Sequence, residues 1–212
     1  MMATIAVIDY GMGNLKSVSK ALMHVAPSHH VVVTDDAKTI QDADRVVFPG
    51  QGAMPDCMRE LDARGLRDVV IESAKSKPFL GICIGLQMLF EHSEEGDTAG
   101  LGLLKGQVKR FDSPLLDTGG QKLKVPHMGW NMVTQSKPHA LWSGIENATR
   151  FYHVHSYYAA PIDIELETAY SEYPMRFTTA VGSDNIFAVQ FHAEKSADAG
   201  LQILRNFIDW QP

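Results

Sequence analysis

The chain has 212 residues, a formal net charge of −6, 45% hydrophobic and 21% charged residues, and two cysteines. This composition is typical of a globular protein. It excludes a disulfide scaffold, and the acidic balance without a basic cluster argues against nucleic acid as a ligand. The first residues lack the basic start of a signal peptide and no apolar stretch approaches the length of a membrane span, so we expect no membrane contact and a cytoplasmic location.

The first half of the chain alternates strand patterns with helix patterns. We predict strands at residues 4–8, 30–33, 45–48 and 78–82, and helices at residues 14–25, with Asn14 as N-cap, 54–61, 66–74 and 85–92. This alternation favours an α/β fold, an open and mostly parallel twisted sheet with helices on both faces. No linker, low-complexity run or repeat divides residues 1–212, which we expect to form a single domain.

The second half is richer in strand patterns, at residues 104–110, 151–155, 178–181 and 186–191. A final amphipathic helix is predicted at residues 197–210, and its apolar side carries Ala197, Leu201, Leu204 and Ile208.

Three chemically interesting residues follow directly after predicted strands. Gly50 follows the third, Cys83 the fourth and His192 the last. Ligands of open α/β sheets bind beyond the carboxyl ends of the strands, so these residues are expected to surround one site.

Cys83 lies in Gly81-Ile82-Cys83-Ile84-Gly85, the cysteine version of the nucleophile elbow at a strand-to-helix turn. Flanking glycines leave room for the tight turn, and the following helix would direct its positive end at the sulfur and favour the thiolate. The plain alternative is a buried core cysteine. We assign that alternative to Cys57, which lies on the apolar side of a predicted helix.

A nucleophilic cysteine needs a base, and the base needs an orienting group. His192 and Glu194 follow the last predicted strand, so His192 is the candidate base and Glu194 the group that orients it. A surface histidine beside a helix cap is the alternative, and only the combination with the elbow favours catalysis.

Pro49-Gly50-Gln51-Gly52 follows the third strand. Glycines let backbone N–H groups approach a ligand, so Gly50, Gln51 and Gly52 are candidates for an oxyanion hole, with a plain turn as the alternative. No metal site is predicted, because His153 and His155 share a strand face without a neighbouring carboxylate or cysteine. No nucleotide cofactor is predicted either, because the glycine turn after the first strand lacks the third glycine of the dinucleotide fingerprint.

Together, residues 81–87 and 190–194 resemble the class I (triad) glutamine amidotransferases over essentially the whole chain. Residues 9–15, 49–53, 126–131 and 154–157 resemble more specifically the amidotransferase subunits of imidazole glycerol phosphate synthase. The block Pro-His-Met-Gly-Trp-Asn at 126–131 is the most discriminating, because amidotransferases of other pathways, such as anthranilate synthesis, are not expected to carry it.

The resemblance implies a flavodoxin-like fold and a Cys83, His192 and Glu194 triad acting on glutamine. It implies substrate contacts from Gln87 and Ser156, and no cofactor. It also implies a (β/α)₈-barrel synthase partner in histidine biosynthesis, which receives the ammonia and would cover the site, with Trp130 and Lys195 as candidate anchors.

Three positions depart from the family pattern. Ala193 stands where Pro is usual, Gln51 where a small aliphatic residue is usual, and His153 where an aromatic residue is usual. Because glycines flank Gln51, we expect a rotating peptide there to gate the activity. The alternative from another class is a non-catalytic thiol sensor, which would not need His192, Glu194 or the glycine strand.

Overall fold

The computed structural model describes residues 2–112, 114–117 and 119–212. Within these ranges the helices are α1 (Leu15–Val25), α2 (Ala37–Asp42), α3 (Met54–Ala63), α4 (Arg67–Ser76), α5 (Ile84–Gln87) and α6 (Ala197–Asp209). The strands are β1 (Thr4–Ile8), β2 (His30–Thr34), β3 (Arg45–Gly50), β4 (Phe79–Cys83), β5 (Phe90–Ser93), β6 (Thr98–Ala99), β7 (Leu104–Arg110), β8 (His127–Gln135), β9 (Thr149–His155), β10 (Tyr157–Pro161), β11 (Glu167–Glu172), β12 (Arg176–Ser183) and β13 (Ile186–Val189). Short 3₁₀ helices occupy Ala140–Trp142, Ile164–Leu166 and Ala193–Lys195.

One large open sheet organises the chain, in the order β2-β1-β3-β4-β13-β12-β10-β7-β5-β6. Its first five strands run parallel, and β12, β10 and β7 continue it in antiparallel fashion. Strand β11 pairs with β12 and with β8, and β8 pairs with β9. The predicted α/β fold with an open sheet is confirmed.

The parallel half contains the strands with the longest apolar runs. Every residue of β3, β4 and β13 is buried. Successive side chains of a strand point to opposite faces, so both faces of this part of the sheet are covered. Helix α1 contacts α6, α2 contacts α4, and α3 contacts α5. None of the helices described is long and apolar enough to cross a membrane.

The predicted helix at residues 85–92 is wrong beyond its first turn. Helix α5 ends at Gln87, and β5 begins at Phe90 and pairs in parallel with β7. Leu86, Met88, Leu89 and Phe90 are all fully buried. A continuous apolar run of this kind does not distinguish a buried strand from a buried helix by periodicity.

Two helix details also differ from the sequence prediction. Asn14 precedes α1, but its side chain makes no capping hydrogen bond. In α6 the buried face is rotated from the predicted one. Ala197 is exposed and Leu201 only partly buried, while Ile203 and Phe207 are fully buried beside Leu204 and Ile208.

Candidate active site

Cys83 is the last residue of β4 and directly precedes α5. Its φ of 57° lies in the left-handed region, which is costly for a residue with a side chain and is typical of a nucleophile elbow. A Cβ on Gly85 would collide with the carbonyl oxygen of Phe48, and one on Gly81 would lie 2.9 Å from the Ala188 Cβ. The flanking glycines therefore permit the close packing that presents the sulfur at the strand end.

Helix α5 is a single turn, so it supplies less helix dipole to Cys83 than the predicted longer helix would. The stronger electrostatic partner of the sulfur is His192. Burial alone would lower the pKa of His192, but the attraction of Cys83 and Glu194 outweighs it and raises the pKa to about 10. The arrangement thus favours the charged form of the His192 ring beside the sulfur.

Glu194 orients His192. The Nδ1 atom of His192 lies 2.8 Å from Oε1 of Glu194, and both side chains are almost fully buried. The Nε2 atom of His192 is buried without a hydrogen-bond partner among the described residues and remains available to the reacting groups. A carboxylate on Nδ1 selects the tautomer and stabilises the charged ring.

The loop that carries His192 is fixed to the neighbouring strand β9 and to α6. The His192 N–H donates to Tyr152 O at 2.9 Å, and Ser196 Oγ donates to His192 O at 2.6 Å. The Tyr152 N–H donates back to Ser196 Oγ at 3.0 Å. A Cβ on Gly200 would collide with the Ala193 carbonyl, so this glycine lets α6 pack directly against the loop.

A cavity of about 300 Å³ opens at these residues, a suitable size for a ligand as small as an amino acid. It is lined by Gln51, Gly52, Cys83, Ile84, Gln87, Glu95, Pro126, Val154, His155, Ser156, Tyr157 and His192. The structure therefore brings together the predicted nucleophile, base, glycine strand and substrate residues. Glu194 lies behind His192 rather than in the lining.

In the glycine strand, Gly50 is the direct ladder partner of Cys83. It is buried and lies outside the cavity lining, whereas Gln51 and Gly52 line it. A Cβ on Gly50 would lie 2.7 Å from the Tyr10 hydroxyl oxygen, so a larger residue would push this strand away from its neighbours. The Cys57 thiol donates to the Gln51 carbonyl at 3.6 Å.

Gln87 is held from two sides. Its Nε2 donates to Tyr157 O at 3.1 Å and to Gln190 Oε1 at 3.0 Å. Its Oε1 is buried without a partner among the described residues, so an acceptor remains for a ligand. Ser156, between β9 and β10, lines the same cavity.

Sequence reasoning missed Glu95, which provides the one carboxylate among the residues found to line the cavity. Its Oε2 accepts from the Met54 N–H at 2.9 Å, which holds it against the start of α3. The residue follows β5 and lies just beyond the helix predicted at residues 85–92, where no motif was recognised. A carboxylate at this position suits a positively charged group on a ligand.

The two predicted anchors lie on neighbouring elements. Trp130 is half exposed on β8, in an exposed apolar row with Met128 and Met132. Its ring lies 6.2 Å from that of Tyr152, the residue that binds the His192 backbone. Lys195 follows Glu194 directly and is partly exposed.

His153, which stands where the family usually has an aromatic residue, also places a flat ring in the core. His153 is fully buried and stacks on His127 with ring centroids 5.1 Å apart. Its nitrogens lie 3.1 Å from Phe151 O and 2.9 Å from Thr179 Oγ1. In the described ranges, no group of three or more His, Cys, Asp or Glu residues is arranged to hold a metal ion.

Comparison with known proteins gives consistent results. The family described as glutamine amidotransferase class-I matches residues 6–210. The imidazole glycerol phosphate synthase subunit HisH of Dechloromonas aromatica is 66% identical over 210 residues, covering 99% of this chain and 97% of the relative. The subunit HisH of Aromatoleum aromaticum is 64% identical, with full coverage of both chains.

Solved structures agree in fold. A putative GMP synthase protein from Thermoplasma acidophilum superposes with a TM-score of 0.70 at 18% identity, covering 99% of this chain and 94% of that one. PurLQS from Thermotoga maritima gives 0.69 at 17% identity, covering 99% of both chains. At such identities the likeness establishes the fold alone.

Proposed function

This chain belongs to the class-I glutamine amidotransferase family and, within it, to the HisH subunits of imidazole glycerol phosphate synthase. On that premise we propose that it hydrolyses glutamine and supplies ammonia to that synthase. The observation that carries the proposal is the meeting of Cys83 with the His192–Glu194 pair at one cavity, with the pKa of His192 raised to about 10. Residues 1–212 would act as one domain, and the continuous core that spans both halves supports this.

In the proposed reaction the Cys83 thiolate attacks the carboxamide carbon of glutamine and forms a tetrahedral intermediate. Forming the S–C bond removes the negative charge that raised the pKa of His192. The imidazolium then becomes a stronger acid and protonates the departing nitrogen. The C–N bond breaks, ammonia leaves, and a thioester on Cys83 remains.

Hydrolysis of the thioester repeats the proton transfers in reverse. His192, now neutral, takes a proton from water as the oxygen attacks the thioester carbon. The C–S bond breaks, glutamate leaves, and the thiolate–imidazolium pair is restored. Glu194 takes no part in these proton transfers, because its role is to orient the ring and stabilise its charge.

Two polar groups suit glutamine as the substrate. The unpaired Gln87 Oε1 can accept a hydrogen bond from an N–H of the ligand, and the Glu95 carboxylate can pair with its α-ammonium group. Ser156, between β9 and β10, would complete the lining. The backbone N–H groups of the strand Gly50-Gln51-Gly52 would stabilise the oxyanion, supported by the pairing of Gly50 with Cys83.

The partner would be the (β/α)₈-barrel cyclase subunit of the synthase, whose phosphoribulosyl substrate reacts with the ammonia. Ammonia must not escape into water, so the partner should cover the strand-end face that holds Cys83. The exposed row Met128, Trp130 and Met132 and the neighbouring Lys195 support this docking face. We place the assembly in the cytoplasm, in keeping with two buried cysteines that form no disulfide.

Glutamate release from glutamine tests the proposal. The chain, mixed with the cyclase subunit of an imidazole glycerol phosphate synthase and its substrate, should release glutamate and transfer the nitrogen of amide-labelled glutamine to the product. Mass spectrometry of a rapidly quenched reaction should find the acyl group on Cys83. Release of no glutamate in the presence of a partner that is active with free ammonia would contradict the proposal.

A further inference from the structure

Two buried histidines outside the proposed proton transfers lie beside the site and face each other across a ladder. His127 on β8 is the direct partner of His155 on β9. The rings of Phe111 and Tyr173 contact them, with the Tyr173 ring stacked 4.0 Å from that of His127. Burial lowers the pKa of His127 to about 4 and that of His155 to about 3, so both rings are neutral near pH 7.

The hydrogen bonds of this pair have only one consistent direction. His155 Nδ1 lies 2.8 Å from the Tyr157 carbonyl oxygen, which can only accept, so Nδ1 of His155 carries the proton. Its Nε2 must then accept, and it lies 3.0 Å from His127 Nδ1, which must donate. The remaining His127 Nε2 accepts from Asn131 Nδ2 at 3.3 Å.

The same carbonyl fixes the side chain of Gln87. Because the Tyr157 oxygen only accepts, Gln87 must turn its amide nitrogen toward it, at 3.1 Å. The second hydrogen of that nitrogen goes to Gln190 Oε1, and Gln190 Nε2 lies 4.0 Å from the Cys83 sulfur. Gln87 Oε1 is thereby left as the free acceptor at the cavity.

The other end of the chain of hydrogen bonds lies on β8. Asn131 stands between the exposed Trp130 and Met132, and its Nδ2 also donates to Glu172 O at 2.9 Å. Its Oδ1 accepts from the Met132 N–H at 2.8 Å, which fixes the orientation of its amide. An uninterrupted set of directed bonds therefore joins the strand with the exposed apolar row to the cavity.

We propose that His127 and His155, each in its Nδ1–H tautomer, form a positioning relay that runs from β8 to the Tyr157 carbonyl and holds Gln87 in its ligand-accepting orientation. The role in glutamine binding rests on the proposed function, whereas the tautomers and the direction of the relay are inferred from the hydrogen bonds and do not depend on it. His127 and His155 are positioning residues, because they act on Gln87 through the Tyr157 carbonyl, although the His155 ring also lines the cavity.

A pair of variants with side chains of similar size separates the relay from simple packing. In His127→Asn the amide nitrogen can take the place of Nδ1 and still donate to His155, whereas His127→Leu removes the donor. We expect His127→Leu to raise the KM for glutamine about tenfold with a smaller change in kcat, the effect of one misplaced hydrogen bond. His127→Asn should stay within about threefold of the wild-type KM. His139→Phe, at a half-buried histidine outside the cavity lining, is the control and should retain the wild-type KM.

Nitrogen-15 NMR of the labelled chain reads the tautomers without any activity. His127 and His155 should both carry the proton on Nδ1, and His155 should keep this tautomer in both variants because the Tyr157 carbonyl still accepts from its Nδ1. The Nε2 resonance of His155 should show loss of its hydrogen bond in His127→Leu and retain it in His127→Asn. An Nε2–H tautomer at His155 in the wild-type chain would overturn the relay. Equal KM values for the Leu and Asn variants in an active complex would overturn its role in binding. A wild-type complex without glutaminase activity would count against the proposed function instead.

Discussion

Gly50 and Cys83 are direct partners at the carboxyl ends of two adjacent parallel strands, β3 and β4. Backbone pairing within the sheet therefore places Gly50 beside the nucleophile Cys83, and no side-chain contact is needed for this alignment. Strand β13, on the other side of β4, delivers the chain to His192 in the same way. Three segments that are distant in sequence reach one edge because parallel strands end together.

The first prediction concerns the two cysteines. Cys83→Ala should abolish glutamine-dependent synthesis in the complex and leave ammonia-dependent synthesis intact, because only glutamine hydrolysis needs the thiolate. Cys57 is the matched control, since burial raises the pKa of its thiol to about 11. Cys57→Ser keeps a donor for the Gln51 carbonyl and should retain glutamine-dependent synthesis. Iodoacetamide should label Cys83 alone, and retained glutamine-dependent turnover in Cys83→Ala would refute the assignment of the nucleophile.

The second prediction separates the roles of His192 and Glu194. His192→Ala should reduce kcat by roughly 100- to 10,000-fold, the range of general acid–base catalysis, because no other group moves the proton. Glu194→Gln should cost less, because the amide oxygen can still accept from Nδ1 and orient the ring, although it no longer stabilises the charge of the ring. Steady-state glutamate release and the rate of Cys83 alkylation at pH 6 would check both. Equal and mild losses from the two substitutions would mean that the triad is assigned incorrectly.

The sequence predicted which residues meet at the cavity better than it predicted the elements around them. Cys83, His192 and the glycine strand are marked by local sequence signals. Each follows an apolar run, and glycines flank Cys83 and Gln51, so these positions can be recognised without tertiary information. Strand β5 and Glu95, which follows it, carry no such local signal. The run Leu86–Phe90 is buried on all sides, and its state is decided by pairing with β7, which lies beyond any local window.

The relay of His127 and His155 could not be predicted from the sequence either. In the sequence, His127 and His155 stand out as members of two family blocks, and His155 also as a possible metal ligand without partners. Their pairing depends on the register of β8 against β9, and no sequence pattern predicts β8. The alternation along β8 is weak, because its exposed positions carry Met128, Trp130 and Met132 rather than polar residues.

The third prediction concerns stability in acid. Burial holds the pKa of His127 near 4 and that of His155 near 3, whereas both residues titrate near 6.5 in the unfolded chain. Between these values the unfolded chain binds protons that the native chain does not, so the free energy of unfolding falls as the pH falls. The loss amounts to roughly 3 kcal/mol for each histidine by pH 4.

Urea unfolding at pH 7 and pH 4.5 measures this effect. His127→Phe should lose less stability between the two pH values than the wild-type chain does. Phe111→Leu disturbs the same aromatic packing without removing a titrating group, so it should retain the wild-type difference. The same pH difference in His127→Phe as in the wild type would contradict the assignment of His127 as a buried neutral residue.

The fourth prediction concerns docking. Trp130→Ala should weaken association with the cyclase partner by more than tenfold, because aromatic residues in an exposed apolar row are typical interface hot spots. Lys195→Glu should weaken association or coupling by a smaller factor. Lys20→Glu, on the exposed side of α1, is the matched charge control. Titration calorimetry gives the dissociation constants, and unchanged binding and coupling in Lys195→Glu would remove that residue from the interface.

The last prediction concerns the control of the glutaminase by its partner. A peptide flanked by glycines can rotate at low steric cost, and Gln51 stands between Gly50 and Gly52. In the present orientation the Gln51 carbonyl is held by the Cys57 thiol at 3.6 Å. In one orientation of this strand an N–H group faces the developing oxyanion, and in the other a carbonyl oxygen faces it and repels it. The loss of one such donor costs roughly 100- to 1,000-fold in turnover, so a partner that favours the donating orientation should activate by at least that factor.

Two substitutions should shift this balance without touching the triad. The Gln51 side chain is exposed and offers both a donor and an acceptor, so it can stabilise either orientation of the strand. Gln51→Val should therefore change the basal rate of the isolated chain more than the rate of the fully activated complex. Within the described ranges, the Cys57 thiol is the only side-chain donor found on the Gln51 carbonyl. Cys57→Ala removes this donor and should also alter the basal rate. Cys57→Ser keeps a donor and should alter the basal rate less. Glutamate release is measured for the isolated chain, the complex, and the complex with the cyclase substrate. Comparable rates in all three states would refute gating by the partner, because a strand that rotates between two orientations must give different rates when the partner selects one of them.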